Sequence, residues 1–252
     1  MTTKTVNVTT GKVLNYTISK QGYKTVNGSK FITADETISV NMLPESSTDG
    51  VYVFGDRIGG CATFFTYFDS INPNTQETQK YAVFVVDATY RNSGVYWGAM
   101  NEDTVLPNYY TEYYYDWTSA YNAKESATYN TQAILDNYTV SSSSYQAFYY
   151  TKNPNGNSLI INVNGNNYSP ELPNTFEVAT LLNYTAQLDA LDPTLIDGTG
   201  TISLEGLKTG GKIWTSNELS SQKSYCYDYL GNRNMNKSSD CSIVPVFEIP
   251  VN

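Results

Sequence analysis

The chain has 252 residues, 24 acidic and 15 basic side chains, a formal net charge of −9 and no histidine. That balance, without a basic cluster anywhere, argues against a phosphate backbone and so against nucleic acid as a partner. Hydrophobic residues make up 40%, charged residues only 15%, and 23 residues are tyrosine, which points to a folded, β-rich chain with an uncharged polar surface rather than a disordered one.

The lack of histidine removes Ser-His-Asp and Cys-His nucleophile activation, the usual proton shuttle near neutral pH and most zinc sites. Catalysis would have to rest on carboxylates, Tyr, Lys or Cys alone. A carboxylate-based glycan hydrolase needs two carboxyls across a cleft, and no pair stands out, so the chain is expected to be non-enzymatic, with no metal and no cofactor. No apolar run is long enough to span a membrane. Residues 1–7 contain no apolar signal segment, so synthesis in a cytoplasm without export by a signal peptide of its own is expected. That pattern suits a virion component released by lysis. The 3 cysteines set up no disulfide framework. Cys61, in an apolar stretch, reads as a core residue. Cys226 and Cys241 fall on neighbouring predicted strands and either pair or remain buried thiols, a choice that register decides.

In chain order, residues 5–9 and 14–19 alternate with period two, separated by a turn at Thr10-Gly11-Lys12. Residues 21–26 follow, Asn27-Gly28 is a turn dipeptide, and 30–33 and 37–43 close a small antiparallel sandwich over residues 1–44. Residues 44–50 read as a polar linker. The second domain, 45–252, opens with strands at 51–54, 61–68 and 81–88, with Asn72-Pro73-Asn74 as a turn. Residues 81–86 are continuously apolar and predict a central strand buried on both faces. Residues 101–122 are aromatic and aperiodic, either a loop laid over the core or a stacking surface.

Helices are predicted at 125–137 and 175–191. The second has Asn174 as cap and Glu177 at the reciprocal capping-box position, then Phe176, Ala179, Leu182, Ala186 and Ala190 near one face, with Asp192-Pro193 ending it. Residues 158–163 and 166–168 predict a hairpin turning at Asn164-Gly165. The last third carries a strand from Trp214, expected in the core, a strand at 224–229, a polar turn, and a final apolar strand at 243–249. Strands, then helices, then strands describe an α+β fold.

Residues Tyr16-Thr17-Ile18-Ser19-Lys20-Gln21-Gly22-Tyr23-Lys24 resemble small Ig-like or PEGA-like modules of surface and phage proteins. Leu172-Pro173-Asn174-Thr175-Phe176-Glu177, then Ile213-Trp214-Thr215-Ser216-Asn217-Glu218, then Val244-Pro245-Val246-Phe247 resemble the pattern of C-type-lectin-like domains, including the formylglycine-generating-enzyme-like branch. Residues 81–91, Trp97-Gly98, 125–131 and 245–252 look closer still to fibre-type virion proteins of crAss-like phages. The resemblance covers roughly residues 50–252.

It implies an Ig/PEGA-like β-sandwich for attachment, followed by a C-type-lectin-like domain that displays a binding face. The implied partners are other virion proteins of the capsid or tail and a host-surface glycan or receptor. A homo-oligomer, with a trimer favoured, would supply multivalency. By position the face would use Asn217, Glu218, Tyr225, Tyr227, Asp228, Asn232, Arg233, Asn234 and Asn236. Thr215-Ser216 after Trp214 departs from the calcium-lectin pattern, and no paired-cysteine oxidase site is apparent. Two alternatives stay open: residues 225–236 are an ordinary solvated hairpin, or the fold is a capsid or tail scaffold with no ligand.

Overall fold

A computed structural model describes residues 10–20, 23–34, 52–71, 77–106, 125–200, 202–228 and 231–251. With about 38% strand and 25% helix in several sheets, one of them a curled half-barrel, the chain is mixed α+β. It divides into two compact units, Met1–Phe54 and Gly55–Asn252, a boundary ten residues beyond the 44/45 junction expected from composition.

In the first unit, β1 (Lys12–Lys20) and β2 (Tyr23–Ile32) form an antiparallel hairpin. Gly11, at φ +82°, makes the expected turn and donates its N–H to Ile32 O at 2.8 Å. Leu14, Tyr16 and Ile18 are half-buried while Val13, Asn15 and Thr17 are exposed, as period two requires. Asn27-Gly28 does not turn. It lies within β2, opposite Thr17 and Tyr16, because continuous pairing with β1 outweighs the local preference of a turn dipeptide. The predicted strands at 5–9 and 37–43 and the linker at 44–50 lie outside the described residues.

The strands of the second unit are β3 (Arg57–Ile58), β4 (Ala62–Ile71), β5 (Thr78–Val86), β6 (Asn92–Val95), β7 (Ile161–Val163), β8 (Asn166–Tyr168), β9 (Lys212–Glu218), β10 (Lys223–Asp228), β11 (Gly231–Asn236), β12 (Cys241–Ile243) and β13 (Val246–Val251). Its helices are α1 (Ala127–Asn137), α2 (Gln146–Lys152), α3 (Thr175–Leu181), α4 (Thr185–Asp189), α5 (Pro193–Ile196) and α6 (Leu204–Gly210). One sheet has the order β13-β5-β4-β3, the other β11-β10-β9-β12-β6, and β7-β8 is a separate hairpin.

β5 lies between β13 and β4, and Ala82 to Val86 are all buried, so the apolar run occupies a two-sided position. Residues 52–54, expected in a strand, are irregular. The final apolar run, expected as one strand, splits into β12 and β13, which belong to different sheets. Pro245 sits at the crossing: it has no N–H for a ladder, and its carbonyl accepts from Val86 N at 3.1 Å. The chain is thereby handed from one sheet to the other without leaving the core.

The helix predicted through residue 191 is also two. α3 has the full capping box, Asn174 Oδ1 accepting from Glu177 N and Glu177 Oε2 from Asn174 N, both at 2.8 Å. It ends where Asn183 N and Tyr184 N bond back three residues, to Thr180 O and Leu181 O. The buried side chains are Thr175, Glu177, Val178, Leu181, Leu182, Thr185 and Leu188. Ala186 and Ala190 of the predicted face are exposed. Asp192 caps α5, whose first residue is Pro193. Helices α2, α5 and α6 lie where the sequence pattern predicts none. The Asn164-Gly165 turn has φ of 52° and 86°, as a two-residue hairpin loop needs.

Two indoles brace the five-stranded sheet. Trp97 Nε1 donates to Thr215 O at 2.7 Å, and Trp214 Nε1 donates to Val95 O at 2.9 Å. Both rings are fully buried among Ile134, Phe148, Leu172 and Ile243. Phe148 meets Trp97 edge-on, with ring centroids 5.1 Å apart. Trp214→Phe removes one buried donor and part of the ring volume. It should lower the free energy of unfolding by about 1–3 kcal/mol, read as a reduced urea midpoint at unchanged slope.

Candidate functional site

β9, β10 and β11 form a meander, and β11 is its outermost strand among the described residues. The β9–β10 connection is tight, with Leu219 N and Ser220 N donating to Lys223 O at 3.1 and 3.0 Å. Asp228 pairs with Gly231. Residues 232–236, expected as part of a polar turn, are strand: in the register that starts at this pair, each Asn and Arg finds a backbone partner on β10.

This corrects the expected binding set. Asn217 is 1% exposed; its Oδ1 accepts from Thr175 N at 2.8 Å and its Nδ2 points at Glu125 Oε2. Glu218 and Tyr225 are each 1% exposed. These three residues are frame, not display. Asp228 is also buried, and pairs with the half-exposed Arg233 at 3.5 Å. Tyr227 and Asn234 are half-buried, Arg233 and Asn236 are exposed, and the side chain of Asn232 lies outside the described residues. Outside the core there remain Tyr227, Asn234 and Asn236 on one face of the sheet and Arg233 on the other, the face of Cys226 and Asp228.

Why a strand reading Thr-Ser-Asn-Glu is interior follows from what covers it. Segment 171–175 crosses β9, with Ser216 N donating to Pro173 O at 2.7 Å and Asn130 Nδ2 to Ser216 Oγ at 3.1 Å. The polar side chains satisfy backbone and helix groups laid over them. Glu218 meets Lys237, which is 0% exposed. Lys237 Nζ also donates to Glu102 O at 2.6 Å and lies 5.1 Å from the Trp97 ring centroid. Thr104 N donates to Glu218 Oε2 at 3.1 Å, and Thr104 Oγ1 binds the same oxygen. Burial pushes the Glu218 carboxyl up, against the downward pull of Lys237 and Thr104.

A second interior polar cluster joins the helices to β13. Glu248 accepts from Ala127 N at 2.9 Å, from Thr128 N at 2.8 Å and from Ser126 Oγ, so it caps the N-terminus of α1. Glu171 meets Lys152 Nζ at 2.6 Å. Glu177 Oε1 has no hydrogen-bond partner in a fully buried side chain. Burial pushes Glu171 up to about 8 despite Lys152, and burial followed by the neighbouring Glu248 holds Glu177 well above the carboxylate range. Among the described residues no group of three or more His, Cys, Asp or Glu can hold a metal ion. Cys61, Cys226 and Cys241 are free and buried, and the hydrogen bond to Cys226, with burial, raises the Cys241 thiol.

Compared with protein families, with curated proteins and with solved structures, the chain matches none. No helix among the described residues is long and apolar enough to cross a membrane.

Two outcomes are expected. Lys237→Met strands a buried carboxyl and should cost about 3–5 kcal/mol, whereas Arg233→Ala at the half-exposed pair should cost less than about 1 kcal/mol; urea unfolding of both variants compares them. The second concerns pH. A carboxyl whose folded value is raised contributes stability that is fully present below its unfolded value of about 4.3 and lost as pH rises through the folded value. Glu171, at about 8, should therefore make the urea midpoint fall steadily from acid to pH 8. Glu171→Gln should flatten that slope, and an unchanged slope would remove Glu171 as its source.

Proposed function

We propose that the chain is a non-enzymatic bacteriophage virion protein of fibre or decoration type. Its second unit, read as a C-type-lectin-like domain, contacts a glycan or receptor on the host surface. Its first unit, read as an Ig/PEGA-like module, joins capsid or tail neighbours. One observation carries the binding half of this reading: exposed polar side chains of the outer strand β11 stand beside β9 and β10, whose residues Thr215 to Glu218 and Ser224 to Cys226 are buried. Tyr227 offers a flat ring with a hydroxyl, Asn234 and Asn236 offer donor and acceptor together, and Arg233 offers a planar fork of donors. Such groups on a rigid support favour weak, adaptable polar recognition. A homo-oligomer, with a trimer favoured, would turn weak contacts into stable adhesion.

A scaffold role is favoured by the same strand, because an outermost strand offers backbone groups that a neighbouring subunit can pair. The two separate on a glycan array and on host cells probed with the full chain. Receptor contact predicts binding that drops at least about tenfold, equivalent to about 1.4 kcal/mol, in an Arg233→Ala, Asn236→Ala double variant of unchanged urea stability. Absence of binding, with loss of particle assembly in the same double variant, selects the scaffold.

A further inference from the structure

We propose that Lys237 and Glu218 condense into an intramolecular amide, Lys237 Nζ joined to Glu218 Cδ with loss of one water. The two side chains are 0% and 1% exposed and are in direct contact. Among the described residues Lys237 Nζ has one further acceptor, the Glu102 carbonyl at 2.6 Å, and the Trp97 ring lies 5.1 Å from it. Glu218 Oε2 is held by both donors of Thr104. Amine, acyl carbon, orienting acceptor and oxyanion donors thus sit together in a dry interior, the arrangement in which proximity contributes most to rate.

The step needs no outside reagent. A proton passes from the Lys237 ammonium to the Glu218 carboxylate. That transfer is helped where two buried charges lose more solvation than their attraction returns, and burial already pushes the carboxyl toward its neutral form. The amine lone pair forms the N–C bond at Cδ, and the carbonyl electron pair moves onto the oxygen held by Thr104. When the carbonyl re-forms, the C–O bond to the hydroxyl breaks. The hydroxyl leaves with a proton from the nitrogen, as water.

The product keeps the existing contacts. The amide N–H still faces Glu102 O, and the amide oxygen still faces Thr104. The chemistry does not depend on what the protein binds. Its consequence is mechanical: Glu218 ends β9 and Lys237 follows β11, so the bond closes a covalent loop around β10 and β11. The outermost strand then cannot peel from its sheet.

Intact-mass spectrometry of the purified full chain under denaturing conditions tests this. The chain should run one water lighter than its linear mass, and protease digestion should give a branched peptide joining the segments that carry Lys237 and Glu218. Lys237→Arg, whose guanidinium is a poor acyl acceptor, and Glu218→Ala, which lacks the acyl carbon, should both show the full linear mass whether or not they fold. A wild-type chain at full mass with both peptides linear overturns the proposal, as does a lost water that maps to other residues.

Discussion

Everything around the five-stranded sheet depends on burying one lysine. Lys237 has no exposure, so its ammonium must find every partner inside the protein. It finds Glu218 at the end of β9, the Glu102 carbonyl and the face of Trp97. Its own carbonyl accepts from Trp97 N at 2.8 Å. The loop after β6 is therefore fastened to the sheet at Trp97, Glu102 and Thr104 rather than left to solvent. With the loop fixed, Trp97 can reach Thr215 O while Trp214 reaches Val95 O. Two indole donors and the Lys237–Glu218 contact thus lock loop, central strand and edge strand into one arrangement. Lone burial of any of these polar groups would be costly, and burial together leaves each with a partner.

The second sheet is joined by a different device. The last strands of the chain are split between the two sheets at Pro245, so the C-terminal run is a tie rather than a tail. β13 then supplies Glu248, whose carboxyl caps α1 across more than a hundred residues of sequence. Glu171 bridges to Val246 on the same strand and engages Lys152 of α2. A single short strand thereby positions both helices. The cost is a set of carboxyls crowded in low dielectric with one ammonium, Lys152, among the groups named. The raised Glu171 and Glu177 follow directly from that crowding.

Local chemistry made some of this legible. The capping box at Asn174 and Glu177, the Asn164-Gly165 turn and the two-sided run of β5 each rest on signals a few residues long, and each has a local physical cause. The failures share another character. Asn27-Gly28 is a turn dipeptide overridden by a long partner strand. The split of α3 from α4 and of β12 from β13 is set by which surfaces they cover. Asn217 and Glu218 read as surface because their partners, Thr175 of α3 and Lys237 just after β11, lie on other elements. Polar residues in a strand carry no mark of whether water or protein will satisfy them. One cue was present: Thr215 to Glu218 follow a Trp already assigned to the core, and alternation alone would have turned at least two of them inward.

A display of polar side chains on an outermost strand has an inherent weakness. Among the described residues such a strand is held from one side only, by its ladder to β10, and any pull on it acts directly on that ladder. Here the strand begins at Gly231, paired with Asp228, and ends one residue before Lys237. Lys237 N also donates to Gln222 O at 2.9 Å, so backbone and side chain both anchor that end. The buried pair that defines the core is thus also the fastening of the exposed strand. Buried as they are, Asn217 and Glu218 help set the position of the side chains that remain outside.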